Sequence, residues 1–416
     1  MKKFIPSLVA LALFSVAAFA QNNRQLPANY LSNAHVKHDN NVAQKVSKKK
    51  GNFPTPHNFP AGVDTLVNFT DHFQAAGVFY DGTPHHIWEY SMVGNKPSQG
   101  GATTFNAPVI PVSVELDDAN GNALYTYDVT PFIQPFMNGP VFGEFNYSSS
   151  PTPTQFVDAV QRAEFGNHAN ASWHTLLAPS VQPTLLMKLP PTAYYYALNS
   201  DGSCCAFVLV DENVFNSLFF PPSTPDNTTI IGAAEVNGYI TTKDISTFMF
   251  PNTYLYQNGD VNQCCVLGYH SFDEELGTST NGNELRFYVL NYSSWISPGL
   301  FSGGFQDVTA HSHEMSEIFN DPFVGFDGIH NITPFWLNPA GQCQDIMEVG
   351  DVIEDLPNPT YPITINGFTY HPQTEALLPW FEFQANSSAI NHAYSYPDET
   401  VLTTLSAPQP LDCNGQ

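Results

Sequence analysis

The segment Asp307-Val-Thr-Ala-His-Ser-His-Glu-Met-Ser-Glu-Ile-Phe-Asn-Asp-Pro322 constrains the fold more than any other stretch of the chain. It predicts one helix of about three turns. Asp307 or Thr309 can cap its start, and Asn320-Asp321-Pro322 stops it, because the residue before a proline avoids the α region. At about 100° per residue, Val308, His311, Met315, Ile318 and Phe319 share one face. His313 and Glu317 fall on the opposite face, one turn apart, with Glu314 beside them. A helix that packs by its apolar side therefore presents an imidazole and carboxylates together, away from its own buried stripe. His311, on the apolar side, is expected to be a packed core histidine, and Asp321 to turn the chain after the helix.

The surroundings of this helix indicate an α+β fold. Ahead of it, Cys265-Val-Leu-Gly-Tyr-His270 and Leu285-Arg-Phe-Tyr-Val-Leu290 are apolar runs of strand length. His270 ends the first; it could reach the same cleft as the helix, and a satisfied structural role is the first reading. Pro108 to Leu116 alternates apolar and polar residues and predicts a strand closed by the turn at Asp117–Gly121. Residues 153–165 predict a helix stopped by Gly166, with Phe156, Val160 and Ala163 as its buried stripe. Further strands are expected at 185–189, 206–210 and 230–233, and a strand–turn–strand at 363–370. His85-His86 lies in a turn-rich stretch and is taken as surface.

The N-terminus carries a different signal. Lys2-Lys3, an apolar run from Phe4 to Phe14 and Ala18-Phe19-Ala20 have the form of a secretory signal peptide over residues 1–20. Residues 21–60, polar and ending near Lys48-Lys49-Lys50, suggest a linker or pro-segment. Residues 61–416 then form the folded body, with 61–150 as a candidate β-rich N-terminal subdomain. Export to the extracellular medium is the expected localisation.

Charge narrows the partners. After residue 50 the chain has five Lys and Arg against 37 Asp and Glu. Such an acidic surface repels nucleic acid and anionic membranes and favours a bound cation. No apolar stretch is long enough to span a bilayer, so no membrane insertion is expected.

The cysteines are Cys204-Cys205, Cys264-Cys265, Cys343 and Cys413. Disulfides are the default in an exported protein. Neighbouring cysteines seldom bond to each other, since the linking geometry strains the intervening peptide. The expectation is therefore a bridge between the 204–205 and 264–265 segments and another from Cys343 to Cys413.

A catalytic zinc site needs three protein ligands and an open position. His313 and Glu317 supply two. Glu348 is the best-placed third in sequence and Asp351 the next. Glu314 is left to move protons as a general base. One imidazole with two carboxylates neutralises a dication, which suits a protein working in mildly acid surroundings.

His313-Glu-Met-Ser-Glu317 followed by Asn320-Asp-Pro322 resembles the metal helix of zincin metallopeptidases, in an H-E-x-x-E form where the second histidine is replaced by Glu317. With Gly268-Tyr-His270 it is also similar, more weakly, to secreted phosphate-induced, EXORDIUM-like proteins. The zincin resemblance implies a zincin-like core and peptidase chemistry at His313 and Glu314, on an extracellular protein or peptide substrate. The EXORDIUM-like one implies an extracellular protein without a settled activity. The resulting expectation is a zinc-dependent peptidase. Its alternative is a non-catalytic extracellular protein with a structural cation such as calcium, and a carbohydrate-binding surface module ranks third.

Overall fold

The computed structural model describes residues 24–34, 36 and 63–406, apart from 76–78, 81–82, 85–86, 224, 276–284, 303 and 325–332. The 1–20 segment, most of 21–60, His85-His86 and Cys413 lie outside the described residues.

The chain builds a mixed α/β architecture with about 20 % helix and 35 % strand. Its main sheet has parallel strands at the centre. Leu285–Trp295 runs parallel to Ile245–Pro251, which runs parallel to the 16-residue strand Ala102–Asp117. That long strand pairs along its length with His174–Val181 and then Leu185–Leu189, both parallel, and antiparallel with Ala123–Tyr127. Val63–Asp64 adds in parallel to Leu285–Trp295, and Gly268–Glu275 pairs antiparallel with the same strand. The two inner strands read as nearly continuous apolar runs because they are covered on both faces. Residues 102–117 thus lie within the main sheet, between strands contributed by later parts of the chain.

A second sheet of four strands is ordered Tyr194–Leu198, Cys204–Asp211, Thr253–Tyr256 and Cys264–Val266. The run 265–270 therefore divides between the two sheets. The two Cys-Cys pairs lie on strands that flank Thr253–Tyr256, but they do not cross-link. Cys204 is bonded to Cys205 and Cys264 to Cys265. The expected bridge between the two segments is therefore absent. Both Cys-Cys peptides are cis, with Cα atoms 3.0 Å apart, and each pair closes on itself. Cys343 is disulfide-bonded as well.

The helix at 307–322 spans Thr309–Asn320. Asp307 does not cap it in the usual way. The residue takes φ +46°, and its Oδ1 accepts from the Val308 and His371 N–H groups. Val308, Met315, Ile318 and Phe319 enter the core under the main sheet, together with Phe156, Val160 and Ala163 of the helix Phe156–Phe165. His311 is buried there, stacked 4.2 Å from Phe136, and burial depresses its pKa to about 3. The opposite face is covered too. Ile346, Met347, Val349 and Val352 belong to a separate core with Trp336 and Trp380, and this layer closes over the helix. Gln373 stitches the layers together. Its N–H donates to Ser312 Oγ at 2.8 Å and its amide to the Gly350 carbonyl at 2.7 Å.

Residues 230–233 form part of a helix, Ile230–Val236, instead of a strand. The Ile-Ile pair has high β propensity, but it serves as the buried face of a single short turn-and-helix unit, and packing decides.

Candidate metal centre

Four separate segments deliver acidic and imidazole side chains to one buried region. Gly268–Glu275 carries His270, and the central helix carries His313, Glu314 and Glu317. The loop before the short helix Asp351–Glu354 carries Glu348, and that helix carries Asp351 and Glu354. The strand Glu375–Ala376, held by the Ala376 N–H on the Val349 carbonyl, carries Glu375. All eight residues are buried.

His270 Nδ1 lies 3.3 Å from Glu317 Oε2, 3.6 Å from Glu348 Oε2 and 3.8 Å from Glu314 Oε2. On the other side of Glu317, His313 Nε2 lies 3.1 Å from Oε1 and 3.5 Å from Asp351 Oδ1. Elsewhere, His174 meets Asp158 and His371 meets Asp307 at 2.8 Å, while the exposed His72 stands 3.5 Å from Asp71. In the cluster the His313–Glu317 pair at 3.1 Å is at hydrogen-bond length, and the other contacts, at 3.3–3.8 Å, are wider. Two donors bound to one tetrahedral ion at about 2.0–2.2 Å stand roughly 3.3–3.6 Å apart, close to the spacing of His270 from Glu317 and Glu348.

The orientation of three donors is set from behind. His270 Nε2–H donates to the Asp321 carbonyl at 3.0 Å, which leaves Nδ1 without a proton in the neutral ring and turned to the carboxylates. Glu317 Oε1 accepts from the Gly350 N–H at 3.1 Å. Asp351 Oδ2 accepts from the Gln342 amide at 3.0 Å and from Gln344, so that Oδ1 is the oxygen facing His313. Two glycines permit the approach. A Cβ on Gly350 would lie 2.6 Å from His313 Cγ and Nδ1, and one on Gly268 would lie 2.8 Å from Glu314 Oε1.

Electrostatics follows from burial and crowding. Burial raises Glu348 well above the carboxylate range, and Glu317 beside it adds to the shift. Burial also raises Glu314, to about 7, against the pull of His313. Glu317 goes the other way, to about 2, because His313 and His270 outweigh its own burial. Both histidines are desolvated, yet the carboxylates around them hold their pKa values well above normal.

Three groups of side chains could hold a metal ion: His270 with Glu317 and Glu348; His313 with Glu314 and Glu317; and His313 with Asp351 and Glu354. Glu317 is common to the first two. Of the residues expected from sequence, Glu317 stands between His313 and Glu348, while Glu348 shares its group with His270. Sequence reasoning passed over His270, Glu354 and Glu375. For His270 a signal was present, since it follows a glycine and precedes the helix, but a buried strand hides which of its polar residues point toward a partner. Among the described residues, no helix is long and apolar enough to cross a membrane. No protein-family model matches the sequence, and comparison with curated proteins finds no match.

Proposed function

We propose that the protein is a metal-dependent hydrolase of the peptidase class, exported from the cell, with zinc as the first candidate ion. One observation carries the metal reading: imidazoles and carboxylates from separate segments converge in buried groups whose donor atoms lie within 4.8 Å of one another. Preference for peptides rests on the likeness of His313-Glu-Met-Ser-Glu317 to the zincin helix, and export rests on the N-terminal sequence. When bound, a divalent ion supplies a Lewis acid and acidifies water. Glu314 has the attributes of the proton carrier. It lies at the edge of the cluster, 3.8 Å from His270, and its pKa near 7 suits a group that accepts a proton and returns it to a leaving amine. His270, held by the Asp321 carbonyl, and Glu317, held by the Gly350 N–H, keep their positions while this occurs. A cleft of about 570 Å³, lined by Gln306, Glu354, Pro359 and His371 among others, opens beside the third group through Glu354.

The burial of every donor favours a second reading, a structural metal in a non-catalytic protein. Glu314→Gln separates the two. On the hydrolase reading it lowers turnover of library peptides by roughly 10²–10⁴, with metal content and fold unchanged. Wild-type protein that carries metal yet cleaves no peptide at pH 5 or pH 7 rejects the hydrolase and leaves the structural site.

A further inference from the structure

We infer that the cluster is a dinuclear centre, in which Glu317 bridges two divalent ions, one held by His270 and Glu348 and the other by His313 and Asp351. This rests on the metal reading above and extends it from one ion to two. Three observations carry it.

The first is the division of Glu317. Its two carboxylate oxygens face different histidines, Oε2 toward His270 and Oε1 toward His313. Oε1 also accepts from the Gly350 N–H at 3.1 Å, which fixes the carboxylate and leaves its second lone pair on the His313 side. A bridging carboxylate holds two ions about 3.5–4 Å apart, the separation common in two-metal hydrolytic sites.

The second is charge. Glu314, Glu317, Glu348, Asp351, Glu354 and Glu375 are all buried around two imidazoles. The six Lys and Arg among the described residues engage partners elsewhere: Lys96 with Asp71, Lys188 with Glu115, Lys243 with Asp64, Arg286 with Glu275, Arg162 with the Ser149 carbonyl, and Arg24 over Tyr195. Burying ionised carboxylates without compensation costs several kcal/mol each, and no Lys or Arg among the described residues supplies it, which favours bound cations. One dication compensates too little of this set.

The third is Glu375. It is completely buried, and neither of its carboxylate oxygens has a hydrogen-bond partner. Its charged neighbours are His313, Glu317, Glu314 and Asp351, the residues of the His313 half of the cluster. A bare buried carboxylate calls for a partner from outside the chain, and a cation among these residues would supply one.

The donor chemistry narrows the ions. Each half contributes one imidazole nitrogen and carboxylate oxygens, which suits Zn²⁺, Mn²⁺ or Fe²⁺. Calcium takes six to eight oxygen ligands and has no use for the nitrogen in either half.

The experiment is metal counting on the full chain, stripped with chelator and dialysed against Zn²⁺ or, separately, Mn²⁺. Two ions per chain are expected. The Mn²⁺-loaded protein should give the broadened, exchange-coupled electron paramagnetic resonance spectrum of two neighbouring ions, in place of the six-line signal of isolated ones. Asp351→Asn and Glu348→Gln, each confirmed as folded by circular dichroism, should each fall to one ion and recover the six-line spectrum. One ion per chain in the wild type overturns the dinuclear centre and leaves the single-metal reading intact. Two ions without coupling overturn the bridge. No bound ion overturns both readings. The wild-type count and spectrum decide these outcomes even if a variant fails to fold.

Discussion

At the start of the central helix, His371 Nδ1 meets Asp307 Oδ2 at 2.8 Å, while further along the same helix His270 and His313 stand 3.1–3.8 Å from four carboxylates. The chemical groups are the same, with Asp307 buried and His371 half-buried, yet only the first is closed. Asp307 spends its oxygens on His371 and on two backbone N–H groups, so the pair is complete within the chain. The second region has its donors fixed from behind and its remaining lone pairs converging. Burial and residue type do not separate a structural histidine pair from a metal site; the spacing of donors and the direction of their second hydrogen bonds do.

The largest effect that can break this contrast is metal removal. With free ion a thousandfold above its dissociation constant, binding contributes about 4 kcal/mol to stability. Chelation should therefore lower the melting temperature by on the order of 10 °C, as read by differential scanning fluorimetry. Asp307→Asn serves as control: it should cost the same with and without chelator, because that pair asks for no ion. An equal melting temperature for wild type before and after chelation would erase the distinction between the regions.

A smaller effect tests the closeness of the cluster. Gly350→Ala puts a methyl group 2.6 Å from the His313 ring, and the ring must move or the 346–351 loop must lift. The cost should be roughly 1–3 kcal/mol in the metal-loaded protein, with weakened metal retention during dialysis. A variant that binds metal as tightly as wild type would show that His313 is not held where the site needs it.

The smallest expected effect concerns Glu382, a carboxyl outside both regions. Burial, aided by Asp71, raises its pKa to about 7 although the Gln384 amide lowers it. A carboxyl with a raised pKa binds its proton more tightly in the folded chain. Its contribution is full below the unfolded pKa of about 4.5 and is lost as pH rises toward 7. Glu382→Gln should flatten this part of the stability–pH curve by about 1 kcal/mol, in urea melts at pH 4.5 and 7. An unchanged slope would show that burial alone does not perturb a carboxyl in this protein, and would weaken the electrostatic side of the contrast.

Local rules reached some of this architecture. Pro322 stopped the central helix near the expected place, Gly166 ended the helix at 156–165 with φ +47°, and Ile363–Ile365 with Phe368–Tyr370 form the hairpin expected there. Elements governed by distant packing were harder to read. Ile230-Ile231 looked like a strand because a β-branched pair carries no information about which face it will bury. The Cys-Cys pairs were misassigned because peptide isomer is not written in composition. At the candidate site, His313, Glu314 and Glu317 were legible since one helix spaces them. His270 and Glu375 were not, because their approach depends on the pairing of Gly268–Glu275 with the main sheet and on a two-residue strand lying against Val349.

The position of these donors along the chain has a temporal consequence. A ribosome delivers His270 and then the central helix well before Glu348, Asp351 and Glu375. By then the strands of the main sheet have all been made, including Leu285–Trp295 on which Gly268–Glu275 pairs. The C-terminal quarter supplies the wall over the helix. Without it the imidazoles and Glu317 would face open water; with Ala376 and Gln373 tying down the Val349–Gly350 backbone, the last-made part of the chain encloses side chains that earlier segments deliver.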